Sequence, residues 1–210
     1  MILNQNRLSL FKIVQLIVAF ILLSGCYHPK IHKMQINLLI PDREAEKIHL
    51  RVGLYLDPQF TNCIVVPPWG TNFYRRIEMG EALSKGSEYI LNRSFKEVVT
   101  IYTMDAKLIP KGLDALVIPE IDRIYENAQD PFKKHSAVTA KIKWTIIDMN
   151  KKVLYKNTFI GEAKYKFWPL AAHPEEIPAG YTRAVEDQFR KAYIGITTTK
   201  WWESLKKETH

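Results

Sequence analysis

Alternating apolar and polar positions predict several β-strands in this chain. Apolar residues occupy every second position from Leu50 to Leu56, which is typical of a strand with one buried face. The strictest alternation covers residues 138–146, where the apolar residues are Val138, Ala140, Ile142, Trp144 and Ile146. A second long alternating stretch, 153–167, begins only a few residues later. The two stretches therefore predict an antiparallel hairpin.

Apolar residues spaced three and four apart predict two helices, one over 78–95 and one beginning at about Gly180. Between them, 96–103 and 113–124 are rich in β-favouring residues and predict two more strands. Pro119 lies inside the second of these, and a proline there indicates a bulge or an unpaired edge. The order of elements predicts an α+β fold: a two-layer sandwich with a mostly antiparallel sheet and two helices packed on one face.

The amino terminus follows a different pattern. Arg7 and Lys12 precede an apolar run that ends in the small residues Ser24 and Gly25, an order typical of a secretory signal peptide. The alternative is a transmembrane helix with an incidental cysteine. We favour the signal peptide because the uninterrupted apolar run after Gln15 is about half the length that spans a bilayer.

The stretch Leu23-Ser24-Gly25-Cys26 resembles the lipobox of bacterial lipoproteins. The resemblance implies that the thiol of Cys26 receives a diacylglycerol, that the chain is cut before Cys26, and that the new amino group is acylated. Two or more acyl chains anchor a protein stably to a membrane. The predicted division of the chain is a signal peptide (1–25), a lipidated cysteine and tether (26–48), an α+β domain (49–204) and a tail (205–210).

The charge of the mature chain is moderately positive. The signal peptide carries two of the 30 basic residues and none of the 22 acidic residues, which leaves a formal charge of +6. Such a balance favours anionic lipid head groups, lipopolysaccharide phosphates or an acidic partner face, or it serves solubility alone. No basic run with interleaved aromatics is present, so we expect no nucleic-acid partner.

Lipidation of Cys26 would leave Cys63 as the one other cysteine, without an intramolecular disulfide partner. Free cysteines behave as small hydrophobic residues, so we expect Cys63 to be buried. The alternative is a thiol available to another chain. Tyr27, not aspartate, follows Cys26, and in the enterobacterial sorting pattern this implies the periplasmic face of the outer membrane rather than the inner membrane.

The sequence contains no strong catalytic or metal-binding motif. Gly-x-Ser-x-Gly elbows, phosphate-binding loops and dinucleotide-binding glycine motifs are all missing. Only His28 and His32 have the spacing of a helical zinc pair, and a proline lies between them. Asp114, Glu120 and Asp122 could supply paired carboxylates, but acidic residues beside a strand are more often solvated. We therefore expect no enzyme activity, no metal and no cofactor.

Two segments are candidates for partner binding. The loop residues Pro67, Pro68 and Trp69 cannot continue a central strand, and an aromatic in such a loop either contacts a partner or covers one end of the core. Lysines on the outward face of the hairpin could form a basic stripe; the alternative is an ordinary solvated face. These lysines are Lys141, Lys143, Lys156, Lys164 and Lys166.

The lipobox, the size and the order of elements resemble small lipoproteins that serve envelope machines. The matching segments are residues 80–95, 98–99, 114–119, 144–148 and 184–189. Examples of such proteins are the lipoprotein partner of the lipopolysaccharide-assembly translocon, auxiliary lipoproteins of lipid-transport ABC systems, and domains related to the amino-terminal domain of the Tol translocation protein. The resemblance implies a non-catalytic, membrane-anchored accessory or assembly subunit with a protein partner in the cell envelope. The alternative is a lipid- or glycan-binding periplasmic lipoprotein.

Overall fold

The computed structural model describes residues 31–40, 47–67, 76–127, 135–166 and 176–207. Ile31–His210 forms one compact unit, built around a five-stranded sheet with two long helices on one face. The α+β fold is therefore as predicted. None of the helices in these ranges is both long enough and apolar enough to cross a membrane.

The described residues form eight strands and four helices, and each lies close to its predicted position where one was predicted. The strands are β1 (Ile31–Lys33), β2 (Ile48–Tyr55), β3 (Ile64–Val65), β4 (Arg76–Glu78), β5 (Phe95–Ile101), β6 (Ala115–Asn127), β7 (His135–Asp148) and β8 (Val153–Lys166). The helices are α1 (Pro58–Thr61), α2 (Gly80–Ser94), α3 (Glu176–Thr198) and α4 (Glu203–Lys207).

The main sheet has the strand order β5-β2-β6-β7-β8 and is mixed. β6, β7 and β8 are antiparallel, as the hairpin predicted, but β2 is parallel to both of its neighbours. The prediction of a mostly antiparallel sheet therefore holds for one half only. The physical reason is that α2 connects β2 to β5: a helical crossover returns the chain to the same end of the sheet, so the two strands run parallel.

The connection from β5 to β6 passes over β2 on the face away from the helices, here called the outer face. Arg51 of β2 holds this connection by donating its backbone N–H to Asp114 Oδ2 over 2.7 Å. A Cβ at Gly53 would lie 2.7 Å from Leu116 Cδ2 and 2.9 Å from Leu113 Cδ1, so these two leucine side chains pack closely against the backbone of β2. A small second core forms beneath the connection from Ile101, Leu113, Leu116 and Ile147. The parallel half of the outer face is thereby covered.

The inner face carries the main core, packed beneath α2 and α3. Trp144 of β7 is fully buried and meets Phe189 of α3 edge to face, with ring centroids 6.1 Å apart. Gly161 of β8 lets α3 approach closely, because a Cβ there would lie 1.9 Å from the carbonyl oxygen of Ala184. α3 therefore packs directly on the backbone of the antiparallel half of the sheet.

Residues 31–40 belong to the folded unit, although the predicted tether extends to residue 48. β1 pairs with β4 in a three-stranded sheet of order β1-β4-β3. Three apolar side chains of this segment are buried in the main core: Met34, Leu38 and Ile40. The backbone N–H of Asn37 donates to Glu186 Oε1 of α3 over 2.8 Å, which fixes the segment to the helix layer.

The loop predicted from Asp57 contains a short helix. The side chain of Asp57 accepts a hydrogen bond from the N–H of Gln59 over 2.5 Å, and Pro58 occupies the first turn. Aspartate before proline favours the start of a helix for two reasons. The aspartate side chain accepts a hydrogen bond from an otherwise unpaired N–H of the first turn, and proline has no N–H that would be left unpaired there. α3 begins at Glu176, earlier than predicted, and ends within the β-branched run at Thr198.

Candidate functional site

The register of β7 and β8 places the predicted lysines together on the outer face. Lys141 lies opposite Ile160, and Lys164 lies opposite Ala137. Because side chains alternate between faces, the even positions of β8 from 156 to 166 share a face with the odd positions of β7 from 135 to 145. The lysine stripe predicted from the sequence is therefore present as an arrangement of side chains, and whether it binds a partner stays a prediction.

Two further residues on β6, which sequence reasoning missed, extend this surface. The guanidinium carbon of Arg123 lies 4.9 Å from the centroid of the Tyr125 ring, and Lys141 Nζ lies 6.0 Å from the same centroid. Both cations are attracted to the electron-rich face of the ring, which lets two like charges share a small area. A register shift between Ile121 and Arg123 sends Arg123 to the outer face. The signal in the sequence was Pro119, which indicated a bulge but not its position.

Lys143 differs from the other lysines because it is paired. Its Nζ lies 2.8 Å from Glu120 Oε2, and the two side chains are 32% and 47% exposed. An ion pair this exposed contributes little to stability, but it neutralises one positive charge of the stripe. Within the described part of the chain, Lys156, Lys164 and Lys166 are exposed and have no ion-pair partner. These three lysines supply most of the free positive charge.

The three carboxylates considered for catalysis are not brought together as a pair. Asp114 accepts the hydrogen bond from Arg51 that ties the crossover connection, and Glu120 is paired with Lys143. The two residues are six positions apart, which is about 20 Å along an extended strand. Asp122 is exposed at the register shift of β6. Two of the three therefore have structural partners.

Several predicted residues fall outside the described ranges: Cys26, His28, Pro68 and Trp69. Pro67 is described and is buried. Among the described residues, no group of three histidine, cysteine, aspartate or glutamate side chains is placed to hold a metal ion.

Cys63 lies in a cleft of about 420 Å³ between α1–β3 and β6. It is a free thiol that is half-buried and packed against the core. The sequence predicted a buried side chain, and the structure shows one that is buried only in part. Burial raises the pKa of this thiol to about 11, which leaves it protonated and unreactive near neutral pH. The cleft is lined by Asp57, Phe60, Cys63, Ile64, Glu120 and Ile121, among others.

Glu126 forms a buried polar cluster at the end of β6. Its Oε1 accepts hydrogen bonds from Ser136 Oγ, over 2.6 Å, and from the hydroxyl of Tyr165. The hydroxyl of Tyr181 is also buried. Burial, more than the neighbouring carboxylate, raises the pKa of both Tyr165 and Tyr181 above the ordinary value for tyrosine. The cluster connects β6, β7 and β8, and sequence reasoning missed it because Glu126 begins a polar stretch that predicts a loop.

The described residues thus form an α+β sandwich with a basic outer face that they cover only in part. No family model and no curated protein matches the chain. Among solved structures it is similar to a protein of Xanthomonas campestris assigned to the family DUF330, with 10% identity, a TM-score of 0.57, and coverage of 83% of this chain and 98% of the other. This likeness shows a common fold.

Two weaker similarities are to proteins described as lipoproteins. A minor lipoprotein from Acinetobacter baumannii has 11% identity and a TM-score of 0.43, with 75% of this chain and 95% of the other covered. A lipoprotein from Neisseria meningitidis has 13% identity and a TM-score of 0.32, with 67% and 99% covered. Both lie below the level of similarity that supports an argument about this chain.

Proposed function

We propose that this chain is a lipid-anchored, non-catalytic accessory or assembly subunit of a bacterial cell-envelope complex. In this proposal it contacts its protein partner through the outer face of β6, β7 and β8. The observation that carries the proposal is this half-face, which no helix of the described ranges covers and which presents lysines without a described ion-pair partner beside a cation–tyrosine group. An acidic partner surface is complementary to it.

The layers of the fold support this choice of surface. The two long helices occupy the inner face, and the connection between β5 and β6 occupies the parallel half of the outer face. On the remaining half-face Ile160 is 40% exposed, and Val153, at the start of β8, is 55% exposed. A surface that combines exposed apolar side chains with free charge is suited to a protein interface, where the centre is apolar and the rim is charged.

The lipobox and the start of the folded unit support a position close to a membrane. The lipid would be attached at Cys26, and the folded unit begins at Ile31. Five residues of fully extended chain span at most about 18 Å. Under this proposal the lipid anchor holds the domain close to the periplasmic surface of the outer membrane, and the protein partner must also extend to that surface.

A lipid- or glycan-binding lipoprotein is the second candidate. The group formed by Arg123, Tyr125 and Lys141 favours it, because two cations over one ring can contact a phosphate while the ring contacts a sugar or glycerol unit. The unpaired lysines of β8 would extend such a contact.

Affinity purification of the lipidated protein from its own membranes separates the two candidates. A protein recovered in stoichiometric amount, and lost when Lys141 and Lys164 are changed to glutamate, supports the accessory subunit. Lipid or glycan recovered without such a protein supports the second candidate. Recovery of neither contradicts both.

A further inference from the structure

β6 has a long edge that lacks a strand partner in the described part of the chain. It pairs with β7 over nearly its whole length, but with β2 only at Ala115, Leu116 and Val117. From Ile118 onward no described strand lies on the β2 side. Pro119 suits this edge, because proline has no N–H to donate to a neighbouring strand. A free edge of this kind presents backbone donors and acceptors that another strand can satisfy.

The edge of β8 that faces away from β7 differs from this free edge, because side chains of α3 bind its backbone groups. Lys191 Nζ of α3 donates to the carbonyl oxygen of Ile160 over 2.9 Å. Asp187 Oδ2 accepts from the backbone N–H of Glu162 over 3.1 Å, and the two side chains form an ion pair at 2.7 Å. Side chains of α3 therefore occupy the backbone groups to which another strand would bind. No such side-chain bonds occur along Ile118–Asn127 on the β2 side among the described residues.

The cleft of about 420 Å³ lies directly beside this free edge. Pro119, Glu120 and Ile121 of β6 form one wall, and α1 with β3 forms the opposite wall. β3 is the end strand of the small sheet, and its residue Ile64 lines the cleft with half of its side chain exposed. The cleft therefore combines free strand backbone with a mixed wall, in which the apolar Ile64 lies among the polar residues Asp57, Gln59 and Asn62.

The charge of the lining limits what can enter. Asp57 and Glu120 are the charged side chains that line the cleft among the described residues. Glu120 is already paired with Lys143, which lies outside the lining, so Asp57 supplies the free negative charge. The apolar contacts come mainly from Ile64 and Ile121, since Phe60 lines the cleft but is buried. An extended segment that alternates apolar and basic residues matches both features, because alternate side chains of a strand point to opposite sides.

We propose that this cleft is a strand-addition site, in which an extended segment of a protein partner with alternating apolar and basic residues pairs with the free edge of β6. The inference rests on the proposed function, since it names a second contact of the same accessory subunit. Backbone hydrogen bonds supply the affinity in this mode of binding, and alternate side chains supply the specificity.

Binding of short synthetic peptides to the full-length lipidated protein in detergent tests the proposal. The probe alternates lysine and valine; one control peptide has the same sequence with N-methylated valines, and another alternates glutamate and valine. We expect only the first to bind and to slow amide exchange around Ile121, which lies beyond Pro119 on this edge and has an N–H. Ile64→Asp should weaken binding about tenfold, which corresponds to about 1.4 kcal/mol. The matched control Ile194→Asp changes a similarly exposed isoleucine on α3 and should have no effect.

Three results would overturn the inference. They are no binding of the lysine–valine peptide, equal binding of the N-methylated peptide, and protection of β6 by self-association without any peptide. The variant with Lys141→Glu and Lys164→Glu distinguishes failure of the strand-addition site from failure of the proposed outer-face interface. We expect it to keep peptide binding, because both lysines lie outside the cleft.

Discussion

At the scale of single residues, Cys63 shows how burial changes the chemistry of a side chain. Its pKa is raised from 9.0 to about 11 because the thiolate would lose solvation in the cleft wall. The native thiol therefore keeps its proton at pH values where the unfolded thiol has lost it. The contribution of Cys63 to stability is full below pH 9 and is lost as the pH rises through 11.

Alkylation by iodoacetamide as a function of pH measures this shift. We expect the rate for the native protein to rise with a midpoint near pH 11, whereas the rate for the denatured protein should level off above pH 9. The Cys63→Ser variant supplies the background. A native midpoint at or below pH 9 would show that the thiol is solvated.

Glu126 is the residue whose hydrogen bonds we expect to matter most for stability. Tyr165→Phe removes one of the two donors to a buried carboxylate, so the free energy of unfolding should fall by about 1–3 kcal/mol. Tyr155→Phe is the matched control on the same strand, where the hydroxyl makes one long contact with Asn157 and the change should stay within about 0.5 kcal/mol. Urea unfolding measures both. Equal effects would contradict a structural role for the cluster.

At the scale of elements, the contact between α3 and β8 depends on a missing side chain. A Cβ at Gly161 would collide with the Ala184 carbonyl oxygen and the Gln188 nitrogen, which are backbone atoms that cannot rotate away. We expect Gly161→Ala to lower the free energy of unfolding by about 1–3 kcal/mol in urea titrations. Thr158→Ala, at an exposed position of the same strand, should change it by less than about 0.5 kcal/mol. A neutral Gly161→Ala would mean that α3 does not lie directly on β8.

The hairpin of β7 and β8 could be predicted from the sequence because the pattern that specifies it lies within one short stretch of the chain. Both strands alternate strictly, and the connection between them is short. The parallel pairing of β2 could not be predicted in this way, since it depends on which distant strands become neighbours after α2 crosses the sheet. The outer-face position of Arg123 was missed for another reason: a shift of one residue moves a side chain to the opposite face.

At the scale of the whole molecule, the sequence predicted the α+β fold, whereas residues 31–40, which it assigned to the tether, lie in the folded unit. The apolar alternation of Met34, Ile36, Leu38 and Ile40 is a strand-like signal, and the charged residues that follow it led us to place this segment in the tether. The structure shows that the segment contributes to the core. Its burial depends on tertiary contacts with α2 and α3, such as the approach of Ile36 to Gly86, that no local pattern encodes.

The proposed anchor gives a prediction for the whole protein in cells. Cys26→Ser removes the thiol that would be acylated, and we expect the protein to move from the membrane fraction to the soluble fraction. Cys63→Ser is the matched control, because it removes the other cysteine of the chain and should leave the protein in the membrane fraction. Membrane retention of the Cys26→Ser variant would contradict the anchor.

In the proposed function, a partner binds to the outer face of β6, β7 and β8. The most direct test is the amount of protein partner recovered per lipidated chain when Lys141 and Lys164 are both changed to glutamate. The control variant changes Lys96 and Lys107, which are exposed elsewhere, by the same charge. Urea titration first checks that both variants are folded. We then predict at least about a tenfold loss of recovered partner for the outer-face variant only. Equal recovery from the two variants would contradict the account.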